Sequence, residues 1–173
     1  MDKQILRNKY KEIRKNILNK EEYDQVIFNK VINLEEYKQS DLILIYVSLK
    51  DEVDTIKLIK HSLQEGKKVA VPKCKENDIV FYYINSLADL EKGNFEILEP
   101  KIKEEVSDFN NSICIIPGVL FDKQNNRIGY GRGFYDRFLE KYTGIKIGLT
   151  YKECICDKID TDENDVEMDK VVF

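Results

Sequence analysis

Short apolar runs alternate with amphipathic stretches along most of this chain. Apolar residues recur at the 3.6-residue spacing of a helix in four stretches: residues 3–18, about 21–34, 53–65 and 133–142. Strands are predicted in five short runs rich in β-branched or aromatic residues: 41–48, 67–72, 78–84, 112–117 and 144–151. Several of these runs are apolar on both faces, which is typical of strands covered by helices on both sides. The alternation predicts an α/β fold with a mostly parallel sheet between helical layers.

Glycine and proline mark several predicted boundaries. Gly66 is well placed to end the third helix at its C′ position, and Pro72 is expected to stop the second strand because it cannot donate a ladder hydrogen bond. Residues 85–111 are charged and lack a steady period, so we predict a connection there with one or two short elements.

Composition narrows the class of protein. A chain of 173 residues, 42% hydrophobic and 35% charged, is most simply one domain spanning 1–173. Its net charge of −4 argues against a protein that wraps nucleic acid. The four cysteines fit neither a zinc site nor a disulfide framework. No apolar run approaches the roughly 20 residues of a membrane span, and the charged N-terminus is no signal peptide, so a cytoplasmic location is predicted.

The most informative segment is 117–138, PGVLFDKQNNRIGYGRGFYDRF. Three glycines, Gly129, Gly131 and Gly133, alternate with side chains directly before a helical pattern. Such a loop can turn several backbone N–H groups toward one anion and deliver it to a helix N-terminus. A plain structural turn is the alternative, and the order of glycines matches neither a P-loop nor a dinucleotide fingerprint.

Charged residues around this loop favour a phosphate ligand. Arg127 and Arg132 supply guanidinium groups suited to phosphate. Asp136 has the wrong sign to touch phosphate directly, which indicates a bridging divalent cation.

Each of the other notable groups of charged residues has a structural and a functional interpretation. A basic stripe on the first helix, formed by Lys3, Arg7, Lys11 and Arg14, is either a solvated face or an anion contact. Glu52, after the first strand, is either a solubility feature or an acceptor for an amino-pyrimidine edge. The acidic tail after residue 156 is either solvated or completes a magnesium shell with Asp136.

The residues of this segment resemble those of the 5-formyltetrahydrofolate cyclo-ligase family, also called methenyltetrahydrofolate synthetase. The family signature is a Pro-Gly-x-x-Phe-Asp run leading to Arg-x-Gly-Tyr-Gly-x-Gly-Tyr-Tyr-Asp, which 117–136 follows closely. Shorter similarities appear in family order over nearly the whole chain: KQILR, EVDT, the VP after the second strand, FEILEP, END and VEMD.

The resemblance implies a fold and an activity. The fold is a three-layer α/β/α sandwich, usually monomeric, and the reaction is the ATP- and Mg²⁺-dependent conversion of 5-formyltetrahydrofolate to 5,10-methenyltetrahydrofolate. It proceeds through a phosphorylated imidate and releases ADP and phosphate. The implied partners are these small molecules, without nucleic acid or membrane.

The resemblance also implies residue roles. Expected catalytic residues are Arg127, Tyr130, Arg132 and Tyr135. The expected ATP-binding residues come from the N-terminus and the loop: Lys3, Gln4, Ile5, Leu6 and Arg7, then Arg127, Ile128, Gly129, Tyr130, Gly131, Arg132, Gly133, Phe134 and Tyr135. Expected folate-binding residues are Val47, Glu52, Tyr130, Gly131, Arg132, Gly133 and Phe134, and the expected metal ligands are Asp136 and Asp165.

The chain departs from the family pattern at two positions. Phe134 replaces a frequent tyrosine, which removes a hydroxyl but keeps a stacking surface, and Asn164 stands where histidine is frequent.

The same residues are also compatible with two other functions. The run GYGRGFY resembles a single-stranded RNA platform, and an anion site on this fold also suits a sugar-phosphate or coenzyme A enzyme.

Overall fold

The computed structural model describes residues 2–93, 96–101 and 104–173. Within them the α-helices are α1 (Lys3–Lys15), α2 (Lys20–Ile32), α3 (Glu35–Gln39), α4 (Ile56–Gln64) and α5 (Phe134–Lys141). The strands are β1 (Leu42–Ile45), β2 (Lys68–Lys75), β3 (Asp78–Ile84), β4 (Leu90–Lys92), β5 (Leu98–Pro100), β6 (Ser112–Ile116), β7 (Leu120–Asp122), β8 (Arg127–Ile128), β9 (Ile145–Leu149), β10 (Ile155–Cys156) and β11 (Lys170–Val172).

A six-stranded sheet forms the centre of the molecule, in the order β11-β9-β6-β1-β2-β3. Its neighbouring strands pair in parallel except for β2 and β3, which form an antiparallel hairpin at one edge. The mostly parallel sheet is therefore confirmed.

Alternate residues of the strands pack into two different apolar clusters. On β1, Ile43 and Ile45 face a cluster that includes residues of α2, α3 and α4, whereas Leu42 and Leu44 face a cluster that includes Leu139 of α5. Because side chains alternate along a strand, each face of the sheet buries its own helical layer. The three-layer α/β/α architecture is confirmed.

A smaller sheet lies beside these layers. Strands β10, β7 and β8 pair in that order, and α1 packs its apolar stripe against them through Leu6, Tyr10 and Ile13. This sheet carries the segment that leads into the glycine loop. The sequence pattern did not predict it, because strands of two or three residues are too short to show a period.

Helix ends differ from prediction by a few residues. The first helix ends at Lys15 rather than residue 18, because the Asn16 side chain donates to the Glu12 carbonyl oxygen at 2.8 Å and closes the last turn. The third predicted helix begins at Ile56, since residues 53–55 belong to the loop after β1. Gly66 (φ +77°) confirms the predicted helix end, with Lys67 N bonded to Ser62 O and Gly66 N to Leu63 O.

The prediction that Pro72 ends the second strand is wrong. Strand β2 continues to Lys75, and Pro72 pairs in register with Phe81 of β3. The pairing of β1 with β2 stops at Ala70, so beyond that residue β2 is an edge strand, where proline is tolerated.

The connection predicted at 85–111 contains short elements, but at least three rather than the one or two predicted. A 3₁₀ turn at Leu87–Asp89 precedes the antiparallel pair β4 and β5. Residues 94, 95, 102 and 103 of this connection lie outside the described residues. The helix α3 and the strand β11, in contrast, were not predicted.

Candidate active site

A cavity of about 980 Å³ opens where parallel strands of the central sheet end. Tyr46 and Val47 follow directly after β1, and Pro117 follows directly after β6; all three line the cavity. The carboxyl ends of parallel strands are where open α/β sheets bind ligands.

The glycine loop forms one side of this cavity. Gly131 (φ +98°) and Gly133 (φ +67°) adopt the left-handed conformation expected for them. Gly129 does not, but a Cβ there would lie 2.6 Å from Arg127 Nη1, so any side chain at this position would displace the Arg127 guanidinium. The loop ends at Phe134, where α5 begins, and the first turn of that helix also lines the cavity.

Arg127 is fixed beneath the loop. Its Nη2 donates to Asp136 Oδ1 at 2.6 Å and its Nη1 to the Pro117 carbonyl oxygen at 3.2 Å, while its guanidinium lies 5.8 Å from the Tyr135 ring centroid. The residue is only 5% exposed. A cation with partners on both sides keeps one position, which suits it to orient an anion in the cavity.

Glu52 enters the cavity from the loop after β1. It is 7% exposed, and its Oε2 accepts a hydrogen bond from Leu49 N at 2.7 Å. Its Oε1 accepts from the hydroxyl of Tyr130, which belongs to the glycine loop. The two elements therefore meet through a carboxylate and a phenol.

Tyr130 presents its ring to solvent but not its hydroxyl. The residue is 40% exposed, yet its hydroxyl lies between Glu52 and Arg14, whose Nη2 donates to it at 2.9 Å. Removal from water raises the pKa of Tyr130 above its ordinary value, and the Glu52 carboxylate raises it further. Tyr130 is therefore a neutral hydrogen-bond donor at physiological pH.

The N-terminal helix and the acidic tail also meet at the cavity lining. Lys3 Nζ lies 2.5 Å from Asp165 Oδ2 and 2.7 Å from Asp162 Oδ2. Burial alone lowers the pKa of Lys3, but the hydrogen bonds to both carboxylates outweigh it and raise the pKa. Arg7 Nε donates to the Gly129 carbonyl oxygen at 2.9 Å, which joins α1 to the glycine loop.

The structure brings most of the sequence-predicted residues into this one cavity. Its lining includes Lys3, Arg7, Val47, Glu52, Asp165 and every residue from Arg127 to Asp136. Gln4, Ile5 and Leu6 do not line it: Gln4 accepts from Arg7, Ile5 is exposed, and Leu6 packs on the small sheet. A contact of these three residues with ATP stays a prediction.

The two predicted metal ligands have cationic partners. Asp136 pairs with Arg127, and Asp165 pairs with Lys3. Over residues 2–93, 96–101 and 104–173, no group of three or more His, Cys, Asp or Glu is placed to hold a metal ion. The two carboxylates have the hard oxygen donors that Mg²⁺ requires, but they do not by themselves form an enclosed metal site.

Sequence reasoning missed residues that support the site from behind. Asp122 is buried, and its carboxylate accepts from Gln124 N, Asn126 N, Asn126 Nδ2 and Ile159 N at 2.8–3.0 Å. Arg137 donates to the carbonyl oxygens of Arg132 and Asn77, and so joins the glycine loop to the β2–β3 turn. The Phe-Asp of the central motif was a signal for Asp122, but only the fold shows what it binds.

The fold and the cavity define an α/β protein with a glycine-rich loop at the carboxyl end of its central sheet. The family model for the 5-formyltetrahydrofolate cyclo-ligase family matches residues 1–173. The chain belongs to that family, whose members are ligases.

Individual relatives agree with this assignment. A mouse protein named 5-formyltetrahydrofolate cyclo-ligase is 32% identical over 163 residues, covering 86% of this chain and 80% of its own. The solved structure of the Aquifex aeolicus 5,10-methenyltetrahydrofolate synthetase is 33% identical with a TM-score of 0.89, covering 99% of this chain and 89% of its own. The Mycoplasma pneumoniae 5,10-methenyltetrahydrofolate synthetase is 26% identical with a TM-score of 0.80, covering 99% and 98%.

Other expectations are not decided by these similarities. Within the part of the chain that the structure describes, no helix is both long and apolar enough to cross a bilayer. The cytoplasmic location, the monomeric state and the absence of nucleic-acid binding stay predictions.

Proposed function

We propose that this chain catalyses the ATP-dependent cyclisation of 5-formyltetrahydrofolate to 5,10-methenyltetrahydrofolate, with release of ADP and phosphate. One observation supports this most directly. A single cavity joins the glycine loop, whose backbone N–H groups and arginines suit an anion, to a buried carboxylate, Glu52, that can accept from N–H donors. The first suits a triphosphate and the second suits a pterin ring.

The chemistry has two steps. The formyl oxygen attacks the γ-phosphorus of ATP, the bond to ADP breaks, and the oxygen carries the phosphoryl group. N10 of the folate then attacks the formyl carbon and loses its proton, and the C–O bond breaks to release phosphate. Both steps depend mainly on holding the reactants in line and on stabilising charge at the phosphoryl group.

The residues on the cavity wall divide between the two substrates. Lys3, Arg7 and the loop from Arg127 to Tyr135 would hold the triphosphate, with Arg127 and Arg132 facing the charge that develops during transfer. Val47, Glu52 and the ring of Phe134 would hold the folate. Tyr130 lies between the two groups, because it belongs to the loop and bonds to Glu52.

Magnesium would enter with the nucleotide. Mg²⁺ in nucleotide sites takes one or two carboxylates together with phosphate oxygens and water, so Asp136 and Asp165 would be the residues that contribute carboxylate ligands. When bound, the ion would neutralise part of the phosphate charge. Lys3 would then be free to pair with phosphate oxygens instead of Asp165.

The test is a direct assay of turnover. Purified protein with Mg²⁺, ATP and 5-formyltetrahydrofolate should form the methenyl chromophore, with one ADP and one phosphate released per product. Reactions without ATP, or with a non-hydrolysable analogue, serve as controls. Folded protein that gives no chromophore under these conditions would refute the proposal.

A further inference from the structure

Arg14 is a buried cation that stands behind the cavity rather than in it. It belongs to α1, is 7% exposed and does not line the cavity. Its Nη1 donates to the Gly118 carbonyl oxygen at 3.1 Å and its Nη2 to the Tyr130 hydroxyl oxygen at 2.9 Å. Within the described residues, its buried Nε has no hydrogen-bond partner.

A buried arginine destabilises the folded state unless an opposite charge lies nearby. Removing a guanidinium from water without a counter-charge destabilises a fold by several kcal/mol. The hydrogen bonds of Arg14 reach a carbonyl oxygen and a hydroxyl, and the carboxylate next in line is Glu52, on the far side of Tyr130. Burial lowers the pKa of Arg14, but Tyr130 and Glu52 outweigh burial and raise it. The cation, the phenol and the carboxylate therefore form one connected unit.

The unit has only one arrangement of protons. A guanidinium donates hydrogen bonds and cannot accept them, so the Tyr130 oxygen must accept from Arg14. The hydroxyl proton of Tyr130 is then directed at Glu52 Oε1, while Leu49 N occupies Oε2. Both oxygens of Glu52 are held by the protein, and the carboxylate keeps one orientation toward the cavity.

We infer that Arg14 is a positioning residue for the folate site: it sets the direction of the Tyr130 hydroxyl and, through that hydroxyl, the orientation of Glu52. This inference rests on the proposed function, because it takes the ligand of Glu52 to be the N–H edge of a pterin. Without Arg14 the hydroxyl can rotate and donate elsewhere, and Glu52 loses its fixed partner. Binding of folate should suffer more than binding of ATP.

A purely structural role is the competing explanation, since Arg14 also holds the turn at Gly118. A double-mutant cycle separates the two. We would measure kcat and the KM for each substrate in the wild type, Arg14→Met, Tyr130→Phe and the double variant. Lys11→Met is the matched control, because Lys11 on the same helix lies 5.5 Å from the Tyr130 ring centroid without bonding to the hydroxyl.

Arg14→Met should raise the KM for 5-formyltetrahydrofolate about tenfold, the effect expected for one charge-assisted hydrogen bond. The KM for ATP should change less than about twofold, as should both constants in Lys11→Met. In the Tyr130→Phe background, Arg14→Met should have almost no further effect on the folate KM, because the hydroxyl through which it acts is gone.

Three results would overturn the inference: independent, multiplicative effects of the two substitutions, equal effects on both KM values, or no effect of Arg14→Met. If Arg14→Met does not fold, Arg14→Lys is used in the same cycle, since lysine keeps a charge but lacks the fork that reaches both oxygens. The same coupling is expected, and its absence would again overturn the inference. A wild type without turnover would refute the proposed function instead.

Discussion

The two sides of the cavity hold their charges in different ways. The inner wall, which we define as Arg14, Glu52, Arg127 and Tyr130, keeps three of its four residues almost fully buried, and each of the four makes at least one side-chain hydrogen bond within the fold. The outer edge, which we define as Lys3, Asp162 and Asp165, consists of ion pairs between the first helix and the tail. These side chains are more open to water, with Asp162 58% exposed, Lys3 27% and Asp165 19%.

This difference in burial indicates which contacts can change during a reaction. Buried, hydrogen-bonded charges are costly to separate, whereas exposed ion pairs contribute little and exchange partners easily. The inner wall is therefore suited to orient the reacting groups. The outer edge is suited to release Lys3 to an incoming phosphate.

The largest effect is expected at Arg127. Arg127→Met should lower kcat by about 10²–10³-fold, the range found when a fixed donor to a developing negative charge is removed. Arg137→Met removes an exposed cation from α5 and should lower kcat less than about tenfold. Steady-state kinetics would give kcat for both variants and for the wild type. Similar losses would show that position in the inner wall does not matter.

Asp122 supports both sides, because its carboxylate holds the turn before the loop and the chain at Ile159. Asp122→Ala leaves four donors without their partner and should lower the free energy of unfolding by about 3 kcal/mol. Urea denaturation measures this. Asp157→Ala, which removes an exposed carboxylate paired with Lys123, should leave the urea midpoint unchanged. A small effect of Asp122→Ala would contradict its assigned support role.

Asp136 connects Arg127 of the inner wall to the proposed magnesium ion. Asp136→Asn should lower kcat about tenfold or more and weaken the Mg²⁺ dependence, since a neutral amide holds neither cation well. Folate affinity, measured by equilibrium titration, should change less than about twofold. Equal losses of activity and folate affinity would contradict the role.

Smaller changes are expected at the outer edge. Lys3→Met should raise the KM for ATP about fivefold, because a charge contact that stays partly in water contributes about 1 kcal/mol. Asp162→Asn should leave that KM the same or slightly lower, since it frees Lys3. Both effects should shrink in high salt. An Asp162→Asn variant as impaired as Lys3→Met would show that the pair itself is needed.

The smallest effect concerns Asp24, which supports the loop of Glu52. Tyr151 bonds to Asp24 Oδ1 at 2.8 Å and lies 3.1 Å from the Glu52 carbonyl oxygen. Burial raises the pKa of Asp24, and the hydrogen bonds from Tyr151 and Asp54 offset only part of the rise. The native state therefore binds this proton more tightly than the unfolded state, and stability from Asp24 falls as the pH rises above about 4.

Asp24→Asn removes this titration but keeps an oxygen at Oδ1, which receives both hydrogen bonds. Its stability relative to wild type should increase by less than about 1 kcal/mol between pH 3 and pH 7. Urea denaturation across that range measures the change. A relative stability that falls with pH would show that the charge of Asp24 is favourable in the fold.

Much of the fold was predictable because strong patterns carried it. Strands such as β1 and β6 are short, apolar and β-branched, and the helix before Gly66 ends where that glycine predicts. Elements with few residues were not predictable. Strands β8 and β10 have two residues each, and they form only because the small sheet and α1 pack together.

Site residues that belong to a sequence motif were predictable. Residues whose role depends on partners brought together by folding were not. The glycine loop and Glu52 were found from the sequence. Arg14 was visible only as one member of a basic stripe, and nothing in its spacing separated it from Lys11. Burial behind Tyr130 makes that distinction, and burial depends on packing between α1 and a loop more than 100 residues away.

The α/β class and the family signature can be read from the sequence alone, and the sequence also predicts which residues bind phosphate and folate. Which charged groups are buried and which stay in contact with water depends on the folded chain. Residue type sets what a side chain can donate or accept, and local spacing sets helix and strand. The energy of a charge depends on its distance from water and from other charges, which only the folded chain sets.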